Sequence, residues 1–355
     1  MTQLSVVILA AGKGERMLSS KPKVMHEIMG KPMVGFAIER AQELLPIKTV
    51  VVLGYGREQV EGYVRGFNVV TALQKGQKGT AHAVLSAQKH IKGHDVLVLY
   101  GDVPLIESST LEGFINFFKK VGTVTFMTTD VENPTGYGRV LMKKDRIEKI
   151  VEEIDASAAE RKIKRINTGI CAIPAPLFSL LKEIKADNKK GEYYLTDIYK
   201  IAQQKGFVVK GYHHERSSEV LGINSKKELL DANITMKDRI LDGHMKKGVT
   251  LLDRNIYIEN DVRIGKNTII FPNSYILGKT SIGEGVSVGP HSLIRDSMLH
   301  NGVIIEGFVF MEGAELEEGV RVGPFARIRP KTLIRKGAKV DNFVEVKNTV
   351  NRRKR

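Results

Sequence analysis

From residue 1 to about 225, short apolar runs alternate with segments whose apolar positions recur every three or four residues. The runs predict strands at 5–10, 48–54, 69–74, 95–100, 123–129 and 166–173, and the periodic segments predict helices near 33–45, 57–66, 80–91 and 108–121. This alternation is the pattern of a parallel α/β sheet covered on both faces. Residues 226–247 predict a further helix, with Leu230, Ile234, Leu241 and Met245 on one face, joining the two halves. Beyond it the apolar period becomes six. Ile258, Ile264, Ile270, Ile276, Ile282, Val288 and Ile294 are six apart, and after one ten-residue step so are Ile304, Phe310, Leu316, Val322, Ile328, Ile334, Val340 and Val346. Aliphatic side chains at every sixth position line a left-handed parallel β-helix, here of about five coils, with a corner loop expected between Ile294 and Ile304. The expected organisation is an α/β domain at 1–225, a helical linker at 226–247 and a β-helix at 248–355.

Composition narrows the class. The 355 residues, 42% of them hydrophobic, suffice for two packed domains. A net charge of +15 fits nucleic acid or anionic small substrates, but the basic residues are spread along the chain without an aromatic-rich binding motif. The run at 351–355 reads as a solvated basic tail. The single cysteine, Cys171, excludes an intramolecular disulfide and a cysteine metal cluster, which fits a reducing compartment, by default the cytoplasm. The first apolar run is short, has no preceding Lys or Arg and makes a poor signal sequence. No stretch approaches the roughly 20 apolar residues of a membrane helix.

The segment Leu9-Ala-Ala-Gly-Lys-Gly-Glu-Arg-Met-Leu-Ser-Ser-Lys-Pro-Lys23 carries the candidate chemistry. It follows an apolar strand, and Gly12 and Gly14 let backbone N–H groups approach an anion while Arg16 and Lys23 supply charge. Met17 occupies the place of a third glycine, and no acidic residue ends the strand at 48–54, so a dinucleotide loop is excluded. No Gly-Lys is followed by Ser or Thr at the spacing of a nucleotide-hydrolase loop. Ligands of such sheets gather at the carboxyl ends of strands, where both this loop and Tyr100-Gly-Asp102 fall. Taken alone, Asp102 also reads as a turn residue and Thr80 and Asn224 as helix N-caps. His26 and His82 have no second ligand at metal spacing and read as structural.

Several motifs together carry a resemblance over residues 1 to about 349: the opening loop with Lys21-Pro-Lys-Val-Met-His26, Gln74 with Gly79-Thr-Ala-His82, Tyr100-Gly-Asp102, Asn133-Pro-Thr-Gly-Tyr-Gly-Arg139, Asn167-Thr-Gly169, Gly191-Glu-Tyr-Tyr-Leu-Thr-Asp197 and Gly222-Ile-Asn224, ahead of the hexapeptide repeats. The chain resembles the family of bifunctional N-acetylglucosamine-1-phosphate uridyltransferase/glucosamine-1-phosphate acetyltransferases. That resemblance implies transfer of UMP from UTP to N-acetylglucosamine 1-phosphate, giving UDP-N-acetylglucosamine and pyrophosphate. It implies Arg16 and Lys23 as catalytic residues bracing the triphosphate, and Mg²⁺ held by Asp102 and Asn224. It implies Leu9, Ala10, Gly12, Gln74, Gly79 and Thr80 around the nucleotide, and Gly138, Glu152, Asn167, Tyr194 and Thr196 around the sugar phosphate. Glu153 adjoins Glu152, which leaves that assignment open between neighbours. Glu15 stands where the family usually has threonine.

In the family the β-helix continues for several further coils that carry the acetyltransferase's catalytic histidine. Here Arg329 and Lys347 match the basic residues for the acetyl acceptor, so the expectation is a residual acceptor site without acetyltransferase activity. Family β-helices associate as trimers, and a homotrimer is expected. The alternatives are another sugar-1-phosphate nucleotidyltransferase, thymidylyl- or adenylyl-transferring, or a non-catalytic assembly subunit.

Overall fold

The computed structural model describes residues 3–348 and the backbone of the strand Val350–Asn351, so most of the basic run, 352–355, lies outside the described residues. The chain divides into two compact units, Met1–His26 with Pro32–Leu229, and Glu27–Lys31 with Leu230–Arg355.

The first unit is built on a nine-stranded sheet. Leu4–Ala10 lies parallel between Lys48–Leu53 and Asp95–Tyr100, with Val70–Leu73 at the edge. These strands are continuously apolar because both faces are covered. Side chains alternate between faces: Val7, Leu9, Val50, Val52, Val96 and Val98 join one core, and Val6, Ile8, Ala10, Val51, Leu53, Leu97 and Leu99 the other. The expected helices appear at Met33–Glu43, Arg57–Val64, Thr80–Ser86 and Ser108–Val121.

The sheet departs from the all-parallel expectation. Arg165–Ile173 is antiparallel to both of its neighbours, Asp95–Tyr100 and Thr125–Asp130. Hydrophobic periodicity marks a strand as buried but carries no direction, so this reversal had no signature. Arg139–Lys143, Arg146–Val151 and Lys210–His213 extend the sheet. Their mixture of charged and apolar residues hid them from a search for continuous apolar runs.

The second unit begins on the helix Lys226–Lys246. Its expected face is buried only at Leu241: Leu230, Ile234 and Met245 are 60%, 50% and 40% exposed, whereas Ala232, Met236 and His244 pack inward beside Leu241. Counting Leu and Ile overweights those residues against the small Ala232 and the amphipathic His244.

Eighteen short strands follow in three parallel sheets of six. The β-helix is therefore about six coils rather than five. Ile258, Ile264, Ile270, Ile276, Ile282, Val288 and Ile294, and again Leu316 through Val346, point inward as the period demands. Between these two runs the expectation fails. Leu299, Ile305 and Met311 line the core, while Phe310 is 42% exposed and Ile304 is not among the buried residues. No corner loop interrupts the coils, because the strand Met298–Leu299 fills that interval. Instead of one long step there are two steps of five residues, Ile294 to Leu299 and Met311 to Leu316, at corners where Asp296 and Gly313 take left-handed backbone conformations. The strands Thr250–Leu251 and Val350–Asn351 also lay beyond the expected repeat. This register makes a direct prediction: Met311→Ala should cost about 2–5 kcal/mol in denaturant unfolding, and Phe310→Ala under about 1 kcal/mol. The reverse order would restore the register with Ile304 and Phe310 inward.

Candidate active site

The site lies in the first unit, at the carboxyl ends of its parallel strands. Leu9, Ala11, Gly12, Gly14, Lys23, Gln74, Gln77, Gly79, Thr80, Tyr100, Asp102 and Glu192 are among the walls of a cavity of about 300 Å³. The Ala10 side chain is buried in the core on the opposite face, which leaves only its backbone to meet a nucleotide, and Ala11 stands in the cavity wall. The loop is folded back so tightly that a Cβ on Gly14, whose φ is +70°, would stand 2.5 Å from Lys23 Cβ. That is the steric reason for this glycine. Gln77 Nε2 ties the loop down by donating to the Ala11 carbonyl at 2.9 Å.

One wall residue of the cavity is a carboxamide. Gln74 is buried, and its Nε2 donates to the Gly79 carbonyl at 2.9 Å and lies 3.2 Å from His82 Nδ1. His82 thus has a structural partner. Among the described residues no group of three or more His, Cys, Asp or Glu is arranged to hold a metal. Gly79, φ +107°, precedes the helix Thr80–Ser86, and Thr80 Oγ1 accepts the Leu195 N–H at 2.8 Å instead of capping that helix.

Lys23, also in the wall, is a cation set between two oxygens. Lys23 Nζ forms an ion pair with Asp102 Oδ2 and donates to Asn224 Oδ1 at 2.6 Å. Asp102 leaves the end of Asp95–Tyr100, and its carbonyl accepts the Ile223 N–H at 2.9 Å, which fixes the Gly222–Asn224 segment beside it. Asn224 is not the cap of the helix Lys226–Lys246. Ser225 Oγ accepts the Glu228 N–H at 3.2 Å, and Asn224 Nδ2 donates to the Gly222 carbonyl. Arg16 stands exposed in the turn Glu15–Met17, and its Nη1 is 3.7 Å from where a Gly136 Cβ would be. Glu15 is exposed and pairs with Lys13 at 3.2 Å. Burial, then the carboxylates of Glu228 and Asp102, push the Tyr137 phenol up to about 12 against the pull of Arg16. The 133–138 loop therefore approaches both charged groups.

Beyond the segment Glu192–Thr196, Glu152, Tyr194 and Thr196 line a second cavity of about 260 Å³ with Lys149, Asp155 and Lys200. Thr196 Oγ1 donates to Glu152 Oε1 at 3.0 Å. Burial raises the Glu152 carboxyl above its ordinary value, and the Thr196 hydrogen bond only partly offsets that. A Cβ on Gly138 would stand 3.3 Å from Glu152 Oε2, and the Gly138 carbonyl accepts the Asn167 N–H at 2.9 Å. Gly138, Glu152, Asn167, Tyr194 and Thr196 are thus brought together. The adjacent carboxylates are separated in role: Glu153 turns away to pair with Arg139 at 2.6 Å. Tyr100, Gln77 and Glu192 were missed as individual wall residues, since an isolated Tyr, Gln or Glu has no spacing signature. In the second unit, Arg329 pairs with Glu345 at 3.3 Å, and the register of their strands sets Arg329 and Lys347 one coil apart at neighbouring positions.

Residues 6–188 match the model of the MobA-like NTP transferase domain, and residues 261–296 match the bacterial transferase hexapeptide (six repeats). The chain is 42% identical over 353 residues to the bifunctional protein GlmU of Pelotomaculum thermopropionicum, covering 98% of this chain and 77% of that protein. It is 44% identical over 307 residues to the bifunctional protein GlmU of Caldanaerobacter subterraneus subsp. tengcongensis, covering 85% and 67%. It thus spans two thirds to three quarters of these relatives' length. A crystal structure of UDP-glucose pyrophosphorylase complexed with UDP-glucose superposes with a TM-score of 0.57 at 21% identity, covering 67% of this chain and all of that one, which supports the fold alone. No described helix is long and apolar enough to cross a membrane. With the nucleotidyltransferase domain, the hexapeptide coils and relatives alike over nearly the whole chain, the protein belongs to the GlmU family and is a sugar-1-phosphate nucleotidyltransferase.

Proposed function

We propose that the chain transfers UMP from UTP to N-acetylglucosamine 1-phosphate. The observation that carries this reading is the Lys23, Asp102 and Asn224 cluster, whose Lys23 and Asp102 line the same cavity as Gln74 and Gly79. Gln74 and the backbone at Gly79 offer the donor and acceptor types that read uracil, with Leu9, Ala11, Gly12 and Thr80 around the nucleotide. Gly138, Glu152, Asn167, Tyr194 and Thr196 receive the N-acetyl sugar. A phosphate oxygen of the sugar phosphate attacks the α-phosphorus of UTP; the new O–P bond forms as the bond to the β-phosphate breaks, and pyrophosphate leaves with the electron pair. Both substrates are polyanions, so positioning and charge neutralisation supply most of the catalysis. Arg16 and Lys23 do this for the phosphates.

A divalent cation fits the donor set. The Lys23 ammonium already rests on Asp102 and Asn224 oxygens, a carboxylate and an amide of the hard kind that Mg²⁺ selects. When bound there, Mg²⁺ would screen the charge that develops on phosphate oxygens. The remaining work belongs to the chain: Arg16 and Lys23 hold the triphosphate, in a cavity whose walls include Tyr100 and Glu192.

Glu152 gives the reading a pH signature. As a carboxylate it accepts a sugar hydroxyl, and its raised pKa means this acceptor is lost as pH falls, starting above the ordinary glutamate value of 4.5. The kcat/KM for sugar phosphate should therefore decline with an inflection above 4.5, and Glu152→Gln should remove that inflection. An unchanged profile in the variant would take Glu152 out of the sugar site.

The proposal concerns uridylyl transfer; thiol release from acetyl-CoA with glucosamine 1-phosphate measures whether the coils that carry Arg329 and Lys347 add acetyl transfer to it. Homotrimer formation through the β-helix is supported by an outward face that carries Tyr257, Tyr275, Leu293 and Phe310 in register, and light scattering tests it. Pyrophosphate release across nucleoside triphosphates and sugar phosphates tests the reaction itself. UTP with N-acetylglucosamine 1-phosphate should be the best pair; preference for glucose 1-phosphate overturns the substrate, and no turnover with any pair leaves an assembly subunit.

A further inference from the structure

Arg139 is the largest fully buried side chain, at 1% exposure, yet it lines neither cavity. It stands where three strands meet, paired with Val151 on one side and Ile166 on the other. Its guanidinium donates through Nη1 to the Tyr137 carbonyl and through Nη2 and Nε to the Arg161 carbonyl at 3.3 and 3.4 Å, and it pairs with Glu153 at 2.6 Å. Glu153 in turn accepts the Gly136 N–H at 3.3 Å. The pair therefore holds the backbone at Gly136 and Tyr137, immediately before Gly138. On its far side Gly138 is held by the Asn167 N–H and stands against Glu152.

A buried ion pair is a poor source of net stability, because desolvation offsets most of the attraction, and apolar residues of similar volume do as well. What a planar, five-donor guanidinium adds is geometry: one group fixes two carbonyls and a carboxylate at once. We propose that Arg139 and Glu153 are positioning residues that set the Gly136–Gly138 turn against Glu152 and thereby tune binding of the N-acetyl sugar phosphate. The inference rests on the reaction proposed above. A turn displaced by a fraction of an ångström loses its contacts with the sugar while leaving the Gln74 end of the nucleotide cavity untouched.

The test is steady-state kinetics of Glu153→Gln, which keeps the shape and removes the charge, with Arg139→Lys as a second variant and thermal unfolding to check the fold. In Glu153→Gln, KM for N-acetylglucosamine 1-phosphate should rise about tenfold, KM for UTP should stay within about twofold, and the preference for that sugar over glucose 1-phosphate should fall. Arg139→Lys should give the same split, because lysine cannot hold two carbonyls and a carboxylate together. Unchanged constants in a folded Glu153→Gln protein, or equal rises in both KM values, overturn the inference alone. A wild-type chain without turnover on this pair overturns the reaction and the inference together.

Discussion

Asp102→Ala is expected to lower pyrophosphate release by about 10³-fold while leaving the protein folded. The carboxylate is mostly buried, its side chain 16% exposed, and it pairs with Lys23. Removing it leaves the ammonium on the Asn224 oxygen and takes away the anionic member of the proposed cation site. The Asp102 carbonyl still anchors Ile223, so the local backbone has no reason to move. Two readouts separate the role from simple misfolding: thermal unfolding should change little, and calorimetric Mg²⁺ binding should vanish along with turnover. A Mg²⁺-dependent rate within about tenfold of wild type would refute the assigned role.

Lys23→Met should cost about 10²–10³-fold in kcat, because the triphosphate loses a buried positive charge that is in place before substrate arrives. It should also change binding in the opposite direction. In the free protein the Lys23 ammonium occupies the two oxygens proposed to hold the metal, so its removal should tighten Mg²⁺ binding measured without nucleotide. Lys23→Arg should not restore activity, since a planar guanidinium is broader than the point charge that fits between Asp102 and Asn224. A Lys23→Met protein with weaker metal binding and normal kcat would show that the ammonium is neither a competitor nor a catalyst.

How much of this could be read from the chain depended on whether the signal was local. The opening loop was legible because two glycines, an arginine and a lysine follow one apolar strand within a single segment. The hexapeptide repeat was legible because no other architecture gives a period of six. Long-range pairings were not: nothing in spacing brings Asn224 to Lys23, and only the family resemblance joined them. Glu152 and Glu153 could not be separated in the sequence because neighbours on a chain face opposite ways. One turns to Thr196 and the other to Arg139. The register between Ile294 and Leu316 failed for a similar reason, since two corners each one residue short look in sequence like one long insertion. The helix Lys226–Lys246 buries Ala232 and His244, which carry too little hydrophobic signal to reveal the face.

Uridylyl transfer at one site built on Lys23, Asp102 and Asn224 is most directly visible in a ³¹P spectrum of the chain incubated with UTP, N-acetylglucosamine 1-phosphate and Mg²⁺. The UTP and sugar-phosphate signals should fall, a diphosphate-sugar pair and pyrophosphate should grow in equal amounts, and a chelator should arrest all three changes. Unchanged substrate signals, or pyrophosphate without a nucleotide sugar, would contradict it.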